Sequence, residues 1–271
     1  MKNRNAIIDV LAHTKCPAVH ITPLSDKKCT CTDSKFGGSF YLPAQTQTPV
    51  YPEYGEMEFL AQLNFSQLPH IDGFPKKGLL QFFLCTNEEV MEELLEHEGS
   101  LSSDGYFQVV YYPQATDEQY SYEGRAVKNR WSMEKLTGAM AFEKTEEIAT
   151  LSIGEDGLLT DLGYEDAFDS FSPELMEDAG YDLSDCPDTD AFCLDFGNWG
   201  CKIGGHPSIR QGDMRLLEDT YAEYSILLFQ YDLTPLSLGE LEADTFSFFI
   251  KPEDLKACRF DDILLCWHNC Y

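Results

Sequence analysis

The chain has 271 residues, 43% of them hydrophobic and 13% aromatic. That is enough apolar material for a sizeable core and excludes a globally disordered chain. Its 47 acidic residues stand against 19 basic ones, a formal charge of −28, which repels nucleic-acid phosphates and anionic lipid surfaces and favours a basic partner.

The N-terminal segment Met1–Leu11 is short and interrupted by Asp9, so it reads as a first helix closed before Pro17, not as an export signal. No stretch approaches a membrane span in length. Ten cysteines at irregular spacing then read as reduced thiols in a cytoplasmic protein.

Further along, Lys35-Phe36-Gly37-Gly38 is followed by Leu60-Ala61-Gln62-Leu63-Asn64-Phe65 and by Leu80-Gln81-Phe82-Phe83-Leu84. The middle block alternates with a period of two, as a strand does, and the third is a continuous apolar run suited to a strand covered on both faces. Glu88–Glu98 predicts a helix with Val90, Met91, Leu94 and Leu95 on its apolar side and Gly99 as its stop, and Phe107–Tyr112 predicts a strand.

From Thr145 to Cys201 there is no lysine, arginine or histidine, and 16 residues are acidic. Within this window Ser172-Pro173-Glu174 starts a helix and Gly180 stops it, with Phe168, Phe171, Leu175 and Met176 on an apolar side that predicts docking. The earlier pattern then returns: Lys202-Ile203-Gly204-Gly205, Leu228-Phe229-Gln230-Tyr231-Asp232-Leu233 and Phe246-Ser247-Phe248-Phe249-Ile250. The second block follows the glycines by 23 residues in the first copy and 24 in the second. Pro252–Lys256 predicts a short helix and Asp262–Trp267 a closing strand. The expected architecture is mainly β, bordering α+β. Antiparallel strands come from an internally duplicated strand-strand-helix-strand unit with short peripheral helices, in one domain over 1–271. The first repeat covers 35–112, the acidic insert 145–201 and the second repeat 202–271.

Several ordered blocks resemble the YwqG-like family, a bacterial domain of unknown function. They are Ser34–Gly38 with Leu42-Pro43, Phe59–Asn64, Lys77–Phe83, Ile203–Pro207 with Gln211-Gly212-Asp213, and Phe248–Ile250 with Asp254-Leu255 and Arg259–Asp262. The chain departs from the family at Leu241-Glu242-Ala243-Asp244, where relatives carry a Trp-Gly-Asp-like stretch. The resemblance implies a mainly β, antiparallel, single-domain cytoplasmic protein. It supplies no catalytic residues, and it implies an immunity-like or other protein-binding role.

No pattern assigns a catalytic residue, a metal site or a cofactor. The glycine pairs suit tight turns, and no phosphate-loop consensus surrounds them. Gln62 and Gln230 occupy matching positions, where an amide orients a ligand or satisfies backbone groups. With Gln211, His206 and Arg210 they are the ligand-binding candidates, Asp213 lying close by in sequence. Cys266, His268 and Cys270 would share a strand face, but no Cys-x-x-Cys pair accompanies them. Asp182, Asp185, Asp188 and Asp190 lack calcium-loop spacing and are the candidates for binding a basic partner. The leading expectation is a non-enzymatic protein-binding domain that avoids nucleic acid and membranes. The alternative is a small-ligand binder or enzyme with a cleft between the duplicated halves.

Overall fold

A computed structural model describes residues 2–24, 28–95, 99–115, 121–123, 136–154, 157–164, 171, 173–182, 184, 186–209, 212–217, 219–232 and 245–268. The chain opens with α1 (Arg4–Val10), β1 (Cys16–Leu24), β2 (Lys35–Phe36), β3 (Ser39–Tyr41), β4 (Val50–Tyr51) and β5 (Gly55–Glu56). Next come β6 (Glu58–Asn64), β7 (Leu79–Leu84), α2 (Glu88–Leu95), β8 (Ser100–Leu101), β9 (Phe107–Tyr112) and β10 (Ser121–Glu123). The middle holds β11 (Gly138–Glu147), β12 (Leu151–Gly154), β13 (Gly157–Thr160), α3 (Pro173–Ala179) and α4 (Cys186–Phe196). The last elements are β14 (Lys202–Gly204), β15 (Ile226–Asp232), β16 (Thr245–Ile250), α5 (Pro252–Lys256) and β17 (Ile263–His268). The protein is mainly antiparallel β with a few short helices.

Packing divides the chain into two compact units, and each is discontinuous in sequence. The first unit comprises Met1–His20, Lys144–Phe249 and Cys266–Tyr271, and the second comprises Ile21–Glu143 and Ile250–Leu265.

In the second unit the strand order is β2-β6-β7-β9, every neighbour antiparallel. Lys35 lies opposite Gln62, and Gln62 opposite Gln81. Six of the seven β6 residues and all six of β7 are buried, so the period-two pattern of β6 separates two covered faces, not a wet face from a dry one. A register shift between Phe59 and Ala61 marks a bulge in β6. Helix α2 starts with Glu88 and Glu89, where carboxylates suit the positive end of the helix, and buries Val90, Met91 and Leu94.

In the first unit β14 pairs with β1, placing Ala18 opposite Gly204 and His20 opposite Lys202. On its other side β14 sets Lys202 opposite Gln230 of β15. Around Leu151 of the β12–β13 hairpin, Ile7 and Leu11 pack with Met176, Ala179, Tyr181, Phe192 and Phe196. The acidic stretch is therefore docked through α3 and α4 on an apolar cluster. Helix α4 had no counterpart in the sequence reading, because its carboxylates obscure the periodicity of Phe192 and Phe196.

Gly205 shows why the second glycine pair is needed. Its φ of +70° is left-handed, and a Cβ there would strike the Glu147 carboxylate and come within 2.7 Å of Ala18 Cβ. Gly205→Ala should therefore lower stability by about 2 kcal/mol or more, read as a fall in the denaturation midpoint. An unchanged midpoint would refute the packing described.

Candidate functional site

The most distinctive geometry is a lysine–glutamine arrangement present in both units. In the second unit Gln62 accepts the Tyr41 N–H at 3.0 Å and donates to the carbonyls of Cys31 and Asp33 at 2.9 and 2.8 Å. Opposite it, Lys35 Nζ donates to the Thr30 carbonyl. In the first unit Gln230 accepts the Ser208 N–H at 2.7 Å and donates to the carbonyls of Asn198 and Gly200 at 3.2 and 2.9 Å. Opposite it, Lys202 Nζ donates to the Asn198 carbonyl at 2.7 Å. All four side chains are buried. Each glutamine ties the loop before the lysine strand to the segment after the glycine pair, supplying partners that buried backbone groups require.

Glu147, at the end of β11, gathers charge in the first unit. Lys202 Nζ reaches both of its oxygens, at 3.0 and 2.9 Å, and the His206 backbone N–H donates to it at 2.9 Å. His20 Nε2 lies 2.7 Å from the same carboxylate. Burial alone would push the Glu147 carboxyl up, but Lys202 and these donors overrule it and hold the group below its ordinary range. Burial also pulls the Lys202 ammonium below the usual lysine value, with Glu147 opposing.

His206 is 2% exposed. Its Nδ1 lies 2.8 Å from an Asp161 carboxylate oxygen and its Nε2 lies 2.9 Å from the Thr14 carbonyl. Both partners are acceptors, so both ring nitrogens carry protons and the ring is an imidazolium. Burial disfavours that charge, yet Asp161, aided by Cys16, pushes the group up to about 10. Tyr164 meets the ring edge-on, with centroids 4.9 Å apart. An imidazolium with both N–H groups engaged has no lone pair for proton abstraction at neutral pH. Asp161 also accepts the Thr150 N–H at 2.8 Å.

Asp213, near His206 in sequence, instead pairs with Arg215 at 2.5 Å and accepts the Leu162 N–H at 2.8 Å. The Arg215 guanidinium lies over Phe249, 4.2 Å from the ring centroid. Arg210, Gln211 and Asp185 lie outside the described residues. Gln62 belongs to the second unit and Gln230 and His206 to the first; Gln230 and His206 secure the same short segment, His206–Ser208. Asp182 is exposed and accepts the Ser184 N–H at 3.0 Å, Asp190 is exposed on α4, and Asp188 lies in α4 as well. Cys266 and His268 are buried in β17, burial pushing the Cys266 thiol up, while Cys270 lies outside the described residues.

Sequence reasoning gave no role to Glu147, Asp161 or either lysine. A signal for the lysines was present, since Lys35 precedes Gln62 by 27 residues and Lys202 precedes Gln230 by 28. Glu147 and Asp161 are two carboxylates among 47 and carry no local mark. Cavities open among the described residues of the second unit. One of about 310 Å³ is lined by Lys28, Cys29, Asp33, Gln67, Met140 and Phe142 among others. One of about 240 Å³ is lined largely by Val50, Met57, Phe107, Val109 and Phe260.

Glu147→Gln strands a buried ammonium and should cost about 3–5 kcal/mol. Adding Lys202→Met to that variant should recover much of the loss in the same denaturation assay; a double variant worse than the single one would contradict the pairing. For His206 the folded value of about 10 lies above the ordinary 6.5. Its stabilisation is thus complete below pH 6.5 and is lost as the pH rises through about 10. The stability gap between wild type and His206→Gln should be widest in mildly acid buffer and narrow steadily above neutrality. A gap independent of pH would rule out the imidazolium.

No helix among the described residues is long and apolar enough to cross a membrane. A comparison with curated proteins found no match. The family model named Domain of unknown function (DUF1963) matches residues 34–270, which include both lysine–glutamine pairs. The chain belongs to the DUF1963 family.

Proposed function

We propose that this chain is a non-enzymatic, protein-binding member of the YwqG-like branch of the family, engaging a basic partner through its acidic segment. The observation that carries this reading is the amphipathic docking of α3 and α4. Their apolar residues Met176, Ala179, Phe192 and Phe196 are fixed in the core cluster. Glu177, Asp178, Asp182 and Asp190 are exposed on or beside the same helices. Anchored helices display charge at little entropic cost on binding. Leu194, 65% exposed on α4, adds an apolar contact among the carboxylates. The absence of basic residues from 145 to 201 leaves this stretch without internal countercharge in its own sequence. The resemblance to the YwqG-like family adds an immunity-like role in the bacterial cytoplasm to this proposal, and the formal charge of −28 fits a partner that is neither nucleic acid nor membrane.

The proposal includes an internal duplication. It is supported by the matching partners of Gln62 and Gln230 and the matching lysines opposite them. A second reading, a small-ligand binder, is favoured by the cavity of about 310 Å³ beside Cys29.

The test is a pull-down from the native host at low salt, run beside a variant with Asp182, Asp185, Asp188 and Asp190 changed to Asn. A basic protein retained by the wild type, released by a salt gradient and lost by the variant is the expected result. Retention that ignores both salt and the four substitutions would overturn the electrostatic reading.

A further inference from the structure

The two lysine–glutamine arrangements differ in what meets the glutamine from the strand beyond it. In the second unit Gln81 of β7 lies opposite Gln62. Its Nε2 donates to Gln62 Oε1 at 2.8 Å and to the Tyr41 carbonyl at 2.7 Å. Gln62 Oε1 thus accepts from both the Tyr41 N–H and the Gln81 amide. In the first unit β16 lies beside β15. Thr245 Oγ1 donates to Asp232 Oδ1 at 3.1 Å, and Phe248 stacks on Phe229 with ring centroids 6.2 Å apart. The step from Thr245 forward to Phe248 matches the step from Asp232 back to Phe229. These contacts therefore run the two strands antiparallel and bring Ser247 opposite Gln230. Ser247 holds the place relative to Gln230 that Gln81 holds relative to Gln62.

Serine ends one bond beyond its Cβ, so it cannot span the distance that the Gln81 amide spans. Ser247 Oγ has no hydrogen-bond partner among the described residues, and its residue is 0% exposed. The same holds for Ser208 Oγ, on the residue whose N–H Gln230 Oε1 accepts. Buried hydroxyls without partners are costly, and a carbonyl oxygen such as Gln230 Oε1 can accept a second donor.

We propose that an ordered water molecule is bound here in the first unit and does for Gln230 what the Gln81 amide does for Gln62. The water donates to Gln230 Oε1 and shares hydrogen bonds with the hydroxyls of Ser208 and Ser247. Three polar partners are the usual complement of a buried water. The space that a glutamine fills beyond a serine exceeds the roughly 30 Å³ that one water occupies in the liquid. All three protein groups are neutral, so the place selects a neutral molecule that both donates and accepts, not an ion.

A high-resolution crystal structure of the whole chain is the test. A solvent peak should lie within about 2.7–3.2 Å of Gln230 Oε1 and of the Ser208 and Ser247 hydroxyls. The same map should show no such peak between Gln62 and Gln81, whose amides meet directly. Ser247→Gln should lose the peak at Gln230, with the new amide in its place. Should that variant fail to fold, the wild-type map still decides. Side chains packed where the peak is expected would overturn the proposal, as would a peak that persists beside Gln230 in folded Ser247→Gln.

Discussion

A buried backbone carbonyl needs a donor, and the structure depends on how that requirement is met beside β2 and β14. In each case a loop runs under cover before the strand, and its carbonyls point at side chains instead of a neighbouring strand. One glutamine from the adjacent strand supplies two donors to the loop and one acceptor to the segment beyond the glycines. A neutral amide is well suited to this, because it offers both kinds of group without the desolvation penalty of a charge. The lysine opposite adds another donor at a much higher solvation cost.

That cost explains the rest of the first unit's interior. Lys202 is completely buried and requires an anion, which Glu147 provides. Asp161 in turn is matched by His206, and Asp213 by Arg215. Each carboxylate also accepts a backbone N–H, from His206, Thr150 and Leu162 respectively. The ion pairs therefore position connecting segments as well as balancing one another. They also fix register: a one-residue slip of β14 would turn Lys202 to the opposite face, away from Glu147. In the second unit Lys35 Nζ donates to the Thr30 carbonyl, and Cys29, Asp33 and Cys31 favour its charge against the pull of burial.

Much of the fold is legible in the sequence. The strands at Leu79–Leu84 and Phe107–Tyr112, the proline-initiated helix at Pro252–Lys256 and the helix at Pro173–Ala179 follow from short-range pattern and capping signals. Strands β1 and β11 are not legible in this way. Pro17 and Pro23 interrupt β1, and Glu143, Lys144, Glu146 and Glu147 make β11 read as a polar stretch. The buried network is legible only in part. Gln62 and Gln230 declare themselves by spacing, and the lysines share that spacing. Asp161 meets His206 across 45 residues and Glu147 meets Lys202 across 55, so no local pattern could join them. Sequence proximity pointed to Asp213 for His206, whereas the fold gives Asp213 to Arg215.

Native-state hydrogen exchange tests most directly whether buried side chains hold these segments in place. The N–H groups of Thr150, Leu162, His206 and Ser208 lie outside the strands, yet each donates to a buried side chain. The account predicts that they exchange as slowly as amides within β14 and β15, opening only with the unit as a whole. Exchange at the rate of exposed loop amides would contradict it, and would leave Glu147, Asp161, Asp213 and Gln230 without the structural role assigned to them.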